Sequence, residues 1–98
     1  MRYATKEAVD GWQELCGQVP HNVRRAWEQI TRDPTPRVQG PRHHRLMGDL
    51  AVRDYRGRGL EQWQYEVTGA GRLWYLVGQE RRVLWLWLAT TGHPRQTG

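Results

Sequence analysis

The stretch from Leu60 to Ala89 limits what this chain can fold into more than any other. It reads LEQWQYEV, TGAG, RLWYLV, GQER and RVLWLWLA. Gln62, Gln64 and Glu66 alternate with Trp63, Tyr65 and Val67, the period of two that a strand needs and an amphipathic helix does not supply. Gly69 and Gly71 in the next four residues allow a tight reversal, so Arg72–Val77 is predicted to pair antiparallel with the first strand. After a second break at Gly78–Arg81, Val83–Ala89 is apolar at nearly every position, which predicts a strand covered on both faces. The result is a three-strand meander that the rest of the chain must extend or cover.

The chain before it supplies the cover. Arg2–Ala4 is long enough for a very short strand, and Thr5 is placed to cap a helix with Glu7 in its first turn. Ala8, Trp12, Leu15 and Cys16 recur at helical spacing, Gly17 ends that helix, and Pro20 opens the next. Val23, Ala26, Trp27 and Ile30 form the second apolar stripe, stopped by Asp33-Pro34-Thr35-Pro36. This spacing predicts an α+β fold: a two-helix hairpin on a twisted, mainly antiparallel sheet of four or five strands, as one domain over residues 1–98. Trp12, Trp27, Trp85 and Ile30 are expected in the shared core. Most of the six tryptophans are expected there too, with one or two left exposed. Cys16, on an apolar stripe without a basic neighbour in sequence, reads as a buried thiol.

Charge is unevenly distributed. Up to Pro36 five basic residues balance five acidic ones, whereas from Arg37 onward ten arginines face five acids. The net charge of +5 therefore sits in the second part of the chain. The densest segment is Arg37–Gly59, with Arg37, Arg42, Arg45, Arg53, Arg56 and Arg58 against Asp49 and Asp54. Leu46, Leu50, Val52 and Tyr55 suggest an irregular extended strand there, interrupted near Gly48. Beside a sheet rich in Trp and Tyr, this run predicts a phosphate-binding surface, with Arg42, His43, His44 and Arg53 as candidate contacts.

Several function classes are disfavoured. His43 and His44 are adjacent, so on a strand they point to opposite faces, and one cysteine with a distant His93 gives no metal spacing. No glycine-rich phosphate loop precedes a helix. Arg24 and Arg25 lie beside local acids, and no third helix completes a helix-turn-helix unit. No apolar run approaches the roughly twenty residues of a membrane span, and a single cysteine fits a reducing compartment, so a cytoplasmic location is expected.

The order helix, helix, basic strand, meander, with HHRLMG, EQWQYEVTGAGRLWY and the closing Gly92-His93-Pro94-Arg95, resembles the RelE/ParE superfamily of type II toxins over nearly the full length. The resemblance implies two helices on an antiparallel sheet. It implies cleavage of messenger RNA on the ribosome, beside ribosomal RNA, and inhibition by a cognate antitoxin, without metal or small-molecule cofactor. In that reading Arg72, after the hairpin turn, contacts the scissile phosphate. Arg45 and Arg95 are further cations, and His93 is the acid or base. A base would take the proton from a ribose 2′-hydroxyl, whose oxygen attacks the adjacent phosphorus. Tyr65 would stack a nucleobase, although Trp63 and Val67 share its face and favour a core position. Counting back from Arg72 without a gap, Trp63 and Tyr65 stand where some ribosome-dependent members carry lysines. The alternative is a member that is not a ribonuclease, either a gyrase poison or an inactive relative that binds only its antitoxin and DNA.

Overall fold

The computed structural model describes residues 1–80 and 83–92. Strand β1 (Arg2–Tyr3) leads into helix α1 (Lys6–Gln18) and helix α2 (Pro20–Arg32). Strands β2 (His43–Arg45) and β3 (Val52–Tyr55) follow, separated by a 3-10 turn at Gly48–Leu50. The meander is β4 (Arg58–Glu66), β5 (Arg72–Val77) and β6 (Leu84–Thr90). The fold is α+β, with six strands among the described residues rather than four or five. They run in the order β1-β6-β5-β4-β2, and β3 also pairs with β4. Among the described residues the β1–β6 pairing is parallel and the others are antiparallel. The additional strand comes from the basic segment. Gly48 takes a positive φ of 62°, the chain turns, and the two halves pair separately with different stretches of β4.

Local chemistry accounts for the helices. The Thr5 hydroxyl accepts from the Ala8 N–H at 3.0 Å and donates to the Trp87 carbonyl at 2.7 Å, so one side chain caps α1 and ties it to β6. Gly11 then allows close approach: a Cβ there would lie 1.8 Å from the Ala89 carbonyl oxygen. From α2, Asn22 donates to the Val67 carbonyl at 3.2 Å, and Gln29 accepts from the Tyr65 hydroxyl at 2.7 Å. Between the layers, Ala8, Leu15, Val23, Ala26 and Ile30 meet Trp63, Tyr65, Val67, Leu73, Tyr75, Val77, Leu84, Leu86 and Ala89.

Three expectations about burial need correction. Trp27 is 46% exposed, because α2 turns Val23, Ala26 and Ile30 onto the sheet and leaves Trp27 at the margin of that stripe. Cys16 is exposed for the same reason, since α1 buries Ala8, Gly11 and Leu15. Trp85 is not in the helix-covered core, because β6 is not covered on both sides. Its Leu84, Leu86 and Ala89 face the helices, whereas Trp85 and Trp87 are half-buried on the opposite face. A bulge contributes: Trp74 and Tyr75 pair with Leu88 and Leu86, so Trp87 is an extra residue between them. Of the six tryptophans only Trp63 is fully buried.

Candidate nucleic-acid interface

With both helices on one side, the other side of the sheet is open, and its residues follow from the register. Glu66 pairs with Arg72, Gln64 with Trp74 and Gln62 with Leu76, so these side chains share the open face. Arg53 pairs with Leu60, Tyr55 with Arg58, and Arg2 with Trp85, and Arg56 lies in the turn between β3 and β4, so Arg2, Arg53, Arg56 and Arg58 gather on that side, away from Arg72. Three are stacked on rings. The Arg53 guanidinium lies 4.5 Å from the Trp87 ring centre, Arg56 lies 5.0 Å from Trp85 and 5.1 Å from Tyr55, and Arg2 lies 5.6 Å from Trp85. Tyr55 joins the two indoles, its ring 5.1 Å from Trp85 and 6.2 Å from Trp87.

Each contact has an attractive electrostatic component of about 0.5–1 kcal/mol at an exposed site, and it holds the long arginine side chain in place. The platform is fixed from below. Gln62 is fully buried, donates to the Leu50 carbonyl at 2.8 Å and accepts from Arg53 Nε at 2.9 Å. Gln64 accepts from the Trp74 indole at 2.8 Å. Such a surface offers cationic N–H groups to phosphates and ring-backed guanidinium planes on which bases can stack.

The candidate residues read from the sequence do not converge on one point. Arg53 belongs to the platform, and Arg42 is exposed beside β2. Arg45 pairs with Trp63 on the helix side, where it stands 3.9 Å from Glu61 with its Nε buried and without a hydrogen-bond partner among the described residues. Arg72 is on the open face, so Arg45 and Arg72 are not brought together. The Arg72 guanidinium is also engaged by its own hairpin, donating to Thr68 O and Gly71 O at 3.0 Å and to Gly69 O at 3.2 Å, with Glu66 at 3.9 Å.

The proposed stacking role of Tyr65 needs correction. It is 1% exposed beneath α2, because β4 turns its odd-numbered residues toward the helices. His43 shares that side, packed edge-on against Tyr65 with its Nε2 on the Tyr75 hydroxyl. Tyr75 donates its only hydroxyl proton to Pro34 O at 2.6 Å, so His43 Nε2 must be the donor in this pair. Burial lowers the His43 pKa; Asp33 opposes the shift and His44 adds to it. Burial, with Asp33 in support, raises the Tyr75 pKa far above its ordinary value. His44 pairs with Gln64 on the open-face side, and its Nδ1 meets the Gly40 carbonyl at 3.1 Å. That bond requires a proton on Nδ1 and, in a neutral ring, leaves Nε2 as a base. His93 and Arg95 lie outside the described residues.

Arg2, Trp74, Trp85 and Trp87 were not among the candidate contacts. Their signal was the i, i+2 spacing of Trp85 and Trp87, which marks one face of a strand, but the apolar residues between them suggested cover on both sides. Among the described residues no group of three or more His, Cys, Asp or Glu side chains is placed to hold a metal ion, and no helix is long and apolar enough to cross a membrane. Comparison with protein-family models, curated proteins and solved structures finds no match.

Proposed function

We propose that this protein binds single-stranded RNA on its open sheet face, and that it does so as the toxin of a type II toxin–antitoxin pair acting on translated messenger RNA. The observation that carries the RNA reading is the stacking of Arg53 on Trp87 and of Arg2 and Arg56 on Trp85. Four arginines, Arg2, Arg53, Arg56 and Arg58, give the affinity, and the guanidinium planes held on the rings stack bases without regard to sequence. The RelE/ParE-like reading draws support from the motif resemblance and from a layout with two helices on one face of a mainly antiparallel sheet. In that reading a base removes the 2′-hydroxyl proton, the oxygen attacks phosphorus, and the 5′-oxygen leaves with a proton. His93 is the family-based candidate for acid or base, and His44 Nε2 is a second base beside the open face.

A non-cleaving binder is the second reading. The engagement of Arg72 by its own turn and the placement of Arg45 on the helix side favour it. Inducible expression with mapping of messenger 5′ ends separates the two. New ends within translated messages support the nuclease. Growth arrest without new ends supports the binder, and harmless expression of the intact, folded chain removes the toxin reading altogether.

A further inference from the structure

At the end of the open face a groove of about 470 Å³ lies between the β3–β4 turn and the residues Gly78, Gln79, Glu80 and Val83. Arg2, Arg56 and Arg58 line it together with Tyr55, Trp85 and Glu80. Tyr55, Arg56, Gly57 and Arg58 form a two-residue hairpin turn with positive φ at both central positions, 54° at Arg56 and 80° at Gly57. This is the tight turn that follows the natural twist of paired strands, and it holds Arg56 over the rings. Arg58 Nη1 reaches Gln79 Oε1 at 3.4 Å across the groove.

We propose that this groove is a binding site for a terminal phosphate monoester carried by a nucleotide, and the proposal extends the RNA reading given above. Charge is the first argument. Three guanidiniums and one carboxylate among the described lining residues leave two positive charges. A phosphate monoester carries about −1.5 to −2 at neutral pH, whereas each diester link within a strand carries only one negative charge. Size is the second. The volume exceeds that of a phosphate group and falls within the roughly 300–1,000 Å³ of small-molecule sites, leaving room for an attached ribose and base. Geometry is the third: Arg2 and Arg56 rest against Trp85, so their N–H edges are held for bidentate contact with phosphate oxygens. The monoester can come from a free mononucleotide or from the 5′ end of a cleaved or processed RNA.

Titration calorimetry with adenosine, adenosine 5′-monophosphate and one short oligoribonucleotide, with and without a 5′-phosphate, tests the site. The phosphate is expected to tighten mononucleotide binding by about tenfold or more over adenosine. Arg56→Asn should abolish that gain while the fold is kept, because Asn-Gly is among the sequences that best suit this turn. Arg24→Gln, which removes a charge from the exposed face of α2, should leave the gain intact. A gain with the mononucleotide alone assigns the groove to free nucleotides, and an equal gain with the 5′-phosphorylated strand assigns it to RNA ends. Equal affinity for adenosine and its monophosphate, or a gain that survives Arg56→Asn, overturns the site. Loss of strand binding alone would count against the RNA reading and leave this site standing.

Discussion

Gly11 shows how one hydrogen atom in place of a methyl group sets the spacing of the two layers. A Cβ at this position would overlap the Ala89 carbonyl oxygen, a backbone atom held in the sheet, so α1 would have to move. Gly11→Ala is expected to destabilise the fold by about 3 kcal/mol, at the upper end of ordinary overpacking, in chemical denaturation. A loss below about 1 kcal/mol would mean that α1 is not held this closely. Trp27→Ala should change stability by less than about 1 kcal/mol, because nearly half of the ring is exposed. Ile30→Ala, fully buried on the same helix, should lose about 2–5 kcal/mol. Helical spacing alone named both residues as core. It finds the apolar stripe, but which edge of the stripe meets the sheet depends on the tilt of α2, which no local pattern encodes.

His43 carries a pH dependence whose sign follows from its burial. Its folded-state pKa is lowered, so as the pH falls the unfolded chain takes up this proton first. The contribution of neutral His43 is therefore complete above about pH 6.5, and it declines as the pH drops from there through the lower folded-state value. Urea midpoints should fall between pH 7.5 and pH 5.5, and less so in His43→Asn. An identical decline in both proteins would place the titration elsewhere. The adjacent-histidine pattern showed that the two rings face opposite ways. It did not show that one of them would be sealed against Tyr75.

At the scale of elements, β5 was legible to the residue as Arg72–Val77, because the glycine turn before it and Gly78 after it punctuate both ends. The basic segment was legible as irregular, yet its division into β2 and β3 rests on pairing with β4, a partner distant in sequence. The role of Arg72 was the harder inference. Sequence places it at the start of a strand after a turn, whereas in the fold its guanidinium caps three carbonyls of that turn. Lysine can supply charge there but not the planar fork, so Arg72→Lys should cost about 1 kcal/mol by melting the β4–β5 hairpin earlier. Hydrogen exchange at Thr68–Arg72 would register it, and unchanged protection would show that the cap contributes nothing.

The whole molecule divides its tasks between two faces of one sheet. One face is closed by α1 and α2 over an apolar core, and the other presents arginines resting on indoles. The net charge in the second part of the chain pointed to the segment that supplies Arg53, Arg56 and Arg58. Sequence order did not reveal that Arg2, at the other end of the chain, joins Arg53, Arg56 and Arg58 through the parallel pairing of β1 with β6. The salt dependence of affinity for a short single-stranded RNA tests this division most directly. Neutralisation of four phosphates by these arginines predicts a log–log slope near −3, from about −0.7 per phosphate, and Arg53→Gln with Arg56→Asn should reduce its magnitude by about 1.4. A slope near zero in the unaltered protein, or one that the double substitution leaves unchanged, would contradict the assignment of the open face to RNA.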